Sequence, residues 1–580
     1  MEVVFGHVGS MSADQAGVLE GVRAFALHEG PDGATLQVIS SGDGVSGLSA
    51  WDLRGTGPIS EDQMGLSGGP VPGVTPDITP MTLASGQEVA LITGTGAAGL
   101  VMVRVNADGS FGNPISINAA AAGVPADLSD VAVATLPSGT YLYGIAPGST
   151  APMVWQVSAT GQLTLVSAGS RAPDQNGVPA PGLTDLAVVD NHLVAAGSGE
   201  TYLTSYTITA SGTLTAPQRL GASDNPGIAG EITLDTVTIG GTDFVILGAA
   251  GTGTLTLYAL EGGRLTLTDH VMDSRDSRFA GVSALDTVVI DGVAYLAAGG
   301  ADQGVSLFQV TPEGDLVHLG VLEDTTRTAL DGIGDLALYE RADGTLGLAT
   351  LGLADGGFSQ FSVEISGNLA LDGAGADTLT GSAGSDLFVL TSDAVPDRIE
   401  GFDPAEDRLD LSGWAFYRDP SQLSINATAT GAEIRFMSLA GEEVLVIESA
   451  AGTPLSVAAV TVAIVPAPSR FLPEWLSPDL TPAPTDPSVS RTGSTGNDTL
   501  ETGSGNDTII GRGGSDVISG GAGRDDINGG IGADTLLGGD EEDTITGLDG
   551  FDVIDGGAGR IRSWAMPAPT GSRARTAPTR

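Results

Sequence analysis

Along residues 1–369, apolar runs of four to seven residues alternate with turns built from Asp-Gly, Asn or Gly-Gly. Short runs rich in β-branched and aromatic residues, bounded in this way, predict strands joined by tight hairpins. One such pair spans 185–189 and 192–196 around a turn at Asp190-Asn191; another spans 286–290 and 293–298 around Asp291-Gly292. Downstream of most pairs lies a run with its own signature: an aromatic or β-branched anchor, an aliphatic two on, Gly six on and an apolar residue eight on. Trp51, Leu53, Gly57 and Ile59 form one copy, and Trp155, Val157, Gly161 and Leu163 another. With Val103, Tyr206, Tyr258, Phe308 and Phe361 the anchors are spaced by 52, 52, 51, 52, 50 and 53 residues. Tyr258 departs slightly, its Gly263 and Leu265 arriving one position early. Each unit supplies about four antiparallel strands, the content of one propeller blade. The expected fold class is therefore all-β, with an N-terminal seven-bladed β-propeller over 1–369. A plain β-solenoid or two β-sandwiches are the alternatives, but a regular pitch with aromatic anchors favours radial repetition. A run at residues 3–5 offers a strand to close the last blade.

A second pattern has a period of nine. The strings DGAGADTLT (372–380) and GSAGSDLFV (381–389) introduce it; DRIEGFDPAEDRLDLSGW (397–414) and a strand-rich stretch to residue 465 interrupt it. Residues 466–487 then hold seven Pro, and 466–492 read as a stiff, extended linker. Beyond it, Asp498, Asp507, Asp516, Asp525, Asp534, Asp543 and Asp552 recur in strict register. Two residues before them stand Gly496, Gly505, Gly514, Gly523, Gly532 and Gly550, with Glu541 the exception. Two residues after them stand Leu500, Ile509, Ile518, Ile527, Leu536, Ile545 and Ile554.

This pattern resembles the repeats-in-toxin (RTX, haemolysin-type) family, whose nonapeptides fold as a calcium-loaded parallel β-roll. The resemblance implies a short RTX roll with a β-rich extension over 370–465, a second calcium β-roll over 493–559, and Ca2+ as the bound cation. It makes the Asp and Gly residues of the register, with Asp377 and Asp386 of the earlier copies, the candidate metal-binding residues. Segment 397–414 also resembles the closing part of the β-roll of serralysin-type proteases. The protease itself is excluded, because no two of the five His lie at i, i+4 as a helical H-E-x-x-H zinc site demands.

Elementary energetics lead to the same cation. Ordering nine residues costs roughly 9 to 18 kcal/mol of backbone entropy, whereas burying one Leu or Ile returns about 1.5 to 3 kcal/mol. Stacked turns also place like-charged Asp columns about 4.8 Å apart. A cation between turns reverses that repulsion, and calcium, with six to eight oxygen ligands, suits carboxylates beside the carbonyls of a Gly-rich turn. Alternate turns fall on opposite edges, so Asp498, Asp516, Asp534 and Asp552 are expected in one column and Asp507, Asp525 and Asp543 in the other. Two early copies alone would close only a partial site at Asp377 and Asp386.

Charge and composition narrow the function further. The chain has 580 residues and a net charge of −48, and its 23 basic residues are all Arg. Such acidity opposes nucleic acid and anionic membranes as partners. The absence of Cys excludes disulfides and thiolate chemistry. No apolar run approaches the ~18 residues of a membrane span, and MEVVFGHVGS lacks the basic and apolar regions of an N-terminal secretory signal. The resemblance implies an extracellular protein exported by type I secretion machinery. Residues 560–580 break the register with five Arg and no acid, which reads as an atypical basic tail left by a frameshift or aberrant 3′ end.

For the propeller two readings stay open: a binding module for a cell-surface or matrix ligand, or a metal-dependent hydrolase of the lactonase or phosphatase kind. Asp130, Asp185, Asp235, Asp286 and Asp335 recur near the start of a blade's first strand, where repetition favours a structural role such as capping a turn. No nucleophile elbow, P-loop or dinucleotide fingerprint is evident, so an enzyme is the weaker expectation.

Overall fold

The computed structural model describes residues 1–12, 22–30, 33–42, 45–53, 59–66, 71–72, 74–95, 99–171, 182–197, 201–221, 228–414, 417–438, 441–465, 469–470, 489–503, 507–522, 525–540, 544–549, 553–557 and 562–564. It divides into two compact units, 1–476 and 477–580.

In the first unit seven antiparallel sheets form a seven-bladed propeller. The innermost strands, Val22–Gly30, Asp77–Thr82, Asp130–Leu136, Leu183–Val189, Ile232–Ile239, Ala284–Ile290 and Ile333–Glu340, touch one another in cyclic order. Five blades are built from four consecutive strands, and in the third blade Ser149–Ala151 intervenes, pairing instead with Ser170–Arg171. The seventh takes its outermost strand from the N-terminus, where Glu2–Ser12 pairs antiparallel with Gly357–Ser366 and closes the ring. The hairpin turns are those that the Asp-Asn and Asp-Gly dipeptides predict: Asp190 and Asp291 adopt φ of 48° and 51°, a left-handed conformation that Asp tolerates.

The 52-residue signature has a direct physical cause. Every anchor lies on the third strand of its blade and is at most 7% exposed. Each packs against the preceding blade: Trp155 with Leu91 and Met102, Tyr206 with Tyr141 and Tyr143, Phe308 with Phe244 and Leu255. Trp51 closes the circle against the last blade, its ring 5.2 Å from Phe358 in an edge-on contact. Each blade thus buries its largest side chain on its neighbour, a contribution of about 1.5 to 3 kcal/mol per anchor. The Gly that follows the anchor is also fixed by the preceding blade at Gly109, Gly161, Gly212, Gly263 and Gly314. Gly212 has φ of 76°, and a Cβ there would stand 2.1 Å from the Tyr141 ring of the previous blade.

After the last blade the chain enters a parallel roll within the same unit. Asn368–Leu371, Asp386–Thr391 and Arg408–Gly413 stack as one sheet; Thr378–Thr380, Asp397–Phe402 and Glu442–Ser449 stack as the other. Gly431–Met437 and Ser424–Ala427 extend the second sheet antiparallel, and the short helix Val457–Ala463 packs on the shared core of Phe388, Ile399, Leu409, Trp414, Ile434 and Leu445. The roll therefore runs on past the two nonapeptides into the 397–414 segment. It docks on the propeller through Leu387, Val389 and Leu369 against Val317 and Met1.

Part of the stretch read as linker belongs to the propeller. Ser469–Arg470 adds a fifth strand to the blade that ends with Arg264–Met272. Arg470 is buried there, with Nε 3.5 Å from Asp269 Oδ2 and Nη2 donating to the Leu316 carbonyl. A Pro-rich stretch suits such an edge, where a ladder donor is not needed at every position.

The second unit is a two-sided parallel roll. Strands on one face are Ser490–Thr492, Thr508–Gly513, Asp526–Ile531, Thr544–Asp549 and Arg562–Trp564; on the other, Thr499–Glu501, Val517–Ala522, Thr535–Asp540 and Val553–Gly557. Ile509, Ile518, Ile527, Leu536 and Ile545 are fully buried between the faces. The strand Arg562–Trp564 continues the stack beyond the point where the Asp register fails, because backbone pairing with Thr544–Thr546 does not require the motif side chains. No described helix is long and apolar enough to cross a membrane.

The anchor geometry makes a prediction for the propeller. Gly212→Ala should destabilise it by about 2 to 4 kcal/mol, since strain and collision add. Gly344→Ala, at φ of 80° with nothing within 4 Å, should cost only about 1 kcal/mol of left-handed strain. Urea unfolding of the two variants measures the difference; equal shifts would show that the contact with the preceding blade does not fix the turn.

Candidate metal centres and the propeller channel

In the second unit each motif Asp bridges to the turn 18 residues away. Asp498 N–H donates to Asp516 Oδ1, Asp516 N–H to Asp534 Oδ1 and Asp507 N–H to Asp525 Oδ1, each at 2.8 Å. Asp498, Asp516 and Asp534 thus form one column, and Asp507 and Asp525 the other. Asp543, Asp552, Gly505, Gly523 and Gly550 lie outside the described residues. The columns run deep: Asp507, Asp516, Asp525 and Asp534 are 1–2% exposed. Oδ2 of Asp507 and Oδ2 of Asp516 are buried without a hydrogen-bond partner.

Gly at the fourth motif position lets successive turns lie backbone on backbone. Gly514 and Gly532 have φ of 111° and 142°, and a Cβ on Gly532 would stand 1.7 Å from the Gly514 carbonyl oxygen. Gly496 begins the same column. Stacked turns offer carbonyl and carboxylate oxygens together, the hard donor set that calcium takes. An ionised oxygen buried without a partner is costly unless a cation meets it, so these residues fit calcium.

In the first unit the roll holds an equivalent arrangement. Asp377 N–H donates to Asp397 Oδ1 and Asp386 N–H to Asp407 Oδ1, both at 3.0 Å. Asp377 and Asp386 are therefore paired with following turns rather than left at the end of a two-turn stack. Asp397 and Asp407 escape a count in nines because insertions place them 20 and 21 residues on. The signal that survives is Asp, any residue, aliphatic: Asp397-Arg398-Ile399 and Asp407-Arg408-Leu409. Burial is the main cause that pushes the carboxyls of Asp372 and Asp397 up to about 6 and about 7, and neighbouring Asp side chains add to it.

The propeller channel carries a third set of acids. Asp130, Asp185, Asp235, Asp286 and Asp335 lie on successive innermost strands, and Asp77, which the repeat pattern alone does not single out, adds a sixth, whereas Val22–Gly30 of the first blade carries none. Three of them, Asp185, Asp286 and Asp335, stitch blade to blade. Asp185 accepts from Leu186 N–H on its own strand and from Leu234 N–H on the next, both at 2.7 Å. Asp335 does the same with Leu336 and, across the ring closure, with Phe25. Asp286 accepts from Leu338 N–H at 2.6 Å. Burial, and to a smaller degree the neighbouring acids, raises these carboxyls: Asp185 to about 6, Asp235 to about 7 and Asp335 to about 8. Of the scattered His, His28, His192 and His270 are buried, and burial lowers His270 and His318 to about 4.

Residues 367–393, 492–527 and 528–560 match the family model of the RTX calcium-binding nonapeptide repeat (4 copies). No curated protein matches the chain. Solved structures similar to it include a protein from Lactobacillus plantarum, at 16% identity and a TM-score of 0.38 over 53% of this chain and 86% of that one. A periplasmic gluconolactonase of Pseudomonas aeruginosa matches at 16% identity and 0.38, over 52% and 85%. A putative 6-phosphogluconolactonase of Bacteroides fragilis matches at 15% and 0.34, over 56% and 93%. Likeness at this level bears on neither substrate nor activity.

The channel acids give a pH dependence of defined sign. Their folded pKa values lie above the ~3.9 of a free Asp, so folding favours the protonated form. The stability they contribute is full below about pH 4 and is lost as pH rises through about 6 to 8. In calcium-free buffer the melting temperature of the propeller, followed by Trp fluorescence, should therefore fall from pH 6 to pH 8, and Asp335→Asn should flatten the upper part of that slope. A rising melting temperature over the same range would show that the channel carboxyls are ionised in the native state.

Proposed function

We propose that this chain, which carries RTX calcium-binding nonapeptide repeats, is an exported protein whose C-terminal roll folds on meeting extracellular calcium and whose propeller serves as a binding module for a cell-surface or matrix ligand. The observation that carries this reading is the pair of buried Asp columns in the second unit, with unpartnered oxygens on Asp507 and Asp516, around a core of one aliphatic per turn. One aliphatic per nine residues does not offset the entropy of ordering them, and uncompensated carboxylate columns oppose folding further. Calcium supplies the missing free energy, so binding and folding are one event.

In this reading Asp498, Asp507, Asp516, Asp525, Asp534, Asp543 and Asp552 supply carboxylates, and Gly496, Gly505, Gly514, Gly523, Gly532 and Gly550 shape the carbonyl-bearing turns. Asp377 and Asp386 belong to the corresponding turns of the first unit. Low cytosolic calcium keeps the C-terminal repeats extended for passage through type I secretion machinery, and high charge with abundant Gly supports that unfolded state. Outside the cell, calcium near the ~10⁻⁴ to 10⁻³ M affinities of extracellular modules folds them. For the propeller the binding role is preferred to a hydrolase, because the innermost strands carry their Asp at most once per blade, and Asp185, Asp286 and Asp335 among them are engaged in stitching.

Calcium titration of the full chain tests the coupling. Protease should cut within 493–559 at micromolar calcium and be excluded at about 1 mM, with far-UV circular dichroism gaining β-structure over the same range and magnesium having no effect. Asp507→Asn with Asp516→Asn should move the midpoint to higher calcium by about tenfold or more, as expected when ligand charge is removed. Protection that is complete without calcium would exclude the folding switch.

A further inference from the structure

Position 372 departs from the pattern of the C-terminal repeats. Counting back five residues from the motif Asp gives Gly493, Gly511, Gly520 and Gly529 before Asp498, Asp516, Asp525 and Asp534 in the second unit, with Thr502 before Asp507 the exception, but Asp372 before Asp377. What a side chain does at this position is visible from those glycines: a Cβ on each would stand 2.8, 2.5, 2.1 and 2.6 Å from Oδ2 of the motif Asp that follows it. The position therefore points at the motif carboxylate, and the first unit places a second carboxylate there.

The result is a cluster of three. Asp372, Asp377 and Asp397 each offer a carboxylate oxygen, and these oxygens all lie within 4.8 Å of one another. Ligands on opposite sides of a calcium ion, at about 2.3 to 2.6 Å from it, are about 4.6 to 5.2 Å apart, so three oxygens so disposed fit one coordination sphere. Asp372 and Asp397 are only 7% and 5% exposed. Asp372 Oδ2 is held by the N–H and hydroxyl of Thr391, whereas its Oδ1 is buried with no hydrogen-bond partner. Asp393 adds further negative charge nearby. Arg398, adjacent in sequence, is committed to Glu448.

We infer that Asp372, Asp377 and Asp397 form a three-carboxylate calcium site in the first unit that binds more tightly than the sites of the C-terminal columns. The inference shares Asp377 with the proposed function and otherwise stands on residues outside it. Affinity in calcium sites follows the charge of the ligand set and the rigidity of its frame. Here the charge is higher by one carboxylate, and the frame is a roll already packed on the propeller through Leu387 and Val389. The first-unit site therefore fills at calcium concentrations that leave the C-terminal roll empty, and the two rolls respond to different calcium ranges.

Equilibrium dialysis of the full chain with calcium reads this directly. The wild type should show a tight class separated from the C-terminal class by at least about tenfold in Kd. Asp372→Gly, which restores the C-terminal pattern, should move the tight class into the weak one. Asp372→Asn keeps the acceptor for Thr391 and serves if the Gly variant does not fold, as judged by Trp fluorescence; it too should weaken the tight class about tenfold. Asp516→Asn should alter only the weak class. A single class in the wild type, or a tight class unchanged in both Asp372 variants, would overturn the inference. Loss of the weak class alone would count against the C-terminal switch and leave this site standing.

Discussion

No repeat in this protein covers its own apolar side chains; the next repeat covers them. A blade of about 50 residues presents two faces and shields neither, and a nine-residue turn has one inward aliphatic and no lid. Everything else in the architecture follows from how the stack of neighbours ends. In the propeller the stack curves until the first blade meets the last, so Trp51 packs on Phe358 as Trp155 packs on Met102. Closure leaves only outer edges, and the last blade completes its own outer edge with Glu2–Ser12. In the rolls the stack is straight and does not close, so each end must be capped or stabilised by something other than repetition.

The same constraint explains why the two rolls differ. In the first unit the stack of turns ends in strands that turn antiparallel, a helix and a core around Trp414 and Phe436, while the other end rests on the propeller. That roll has a hydrophobic core beyond its motif aliphatics. Among the described residues, the core of the C-terminal roll is five fully buried Ile and Leu from its two faces, with Leu500 beside them. A core of that kind cannot outweigh the ordering of its turns without a bound cation. A chain with repeated Asp motifs in both places thus holds one roll supported by packing and another with little apolar packing of its own.

Much of this was legible in the sequence because the relevant chemistry is local and periodic. The anchor, the Gly six residues on and the Asp-Gly turns each answer to a contact that recurs once per blade, so spacing alone exposed seven blades and the nonapeptide roll. What escaped reading is what periodicity does not carry. Asp397 and Asp407 sit in the roll's register but follow insertions that spoil a count in nines. The stitching role of the channel acids needs a partner on the next blade, a full repeat away, so repetition pointed to a structural residue without saying which backbone groups it holds; Asp77 was missed for the same reason. The Arg470–Asp269 pair joins segments with no shared pattern at all, and only the fold brings them together.

Like charges in register are the recurring electrostatic problem, and the chain solves it in two ways. Around the channel, acids on neighbouring innermost strands accept backbone N–H groups from their own and the next blade, and burial favours their protonated form. Hydrogen bonds and protons suffice there because the blades are already held by their apolar contacts, so the carboxyls need only be tolerated. In the C-terminal roll the acids stand along the edges of a stack with little else to hold it, and Oδ1 of Asp507, Asp516, Asp525 and Asp534 is already engaged by an N–H of the turn before. The other oxygen, Oδ2, is buried without a hydrogen-bond partner at Asp507 in one column and at Asp516 in the other. Protonating them would leave those turns without the bridging charge that binds one to the next, whereas a divalent cation both neutralises and links them. A chain this acidic, with no Lys and few Arg, has left that role to an ion from solution.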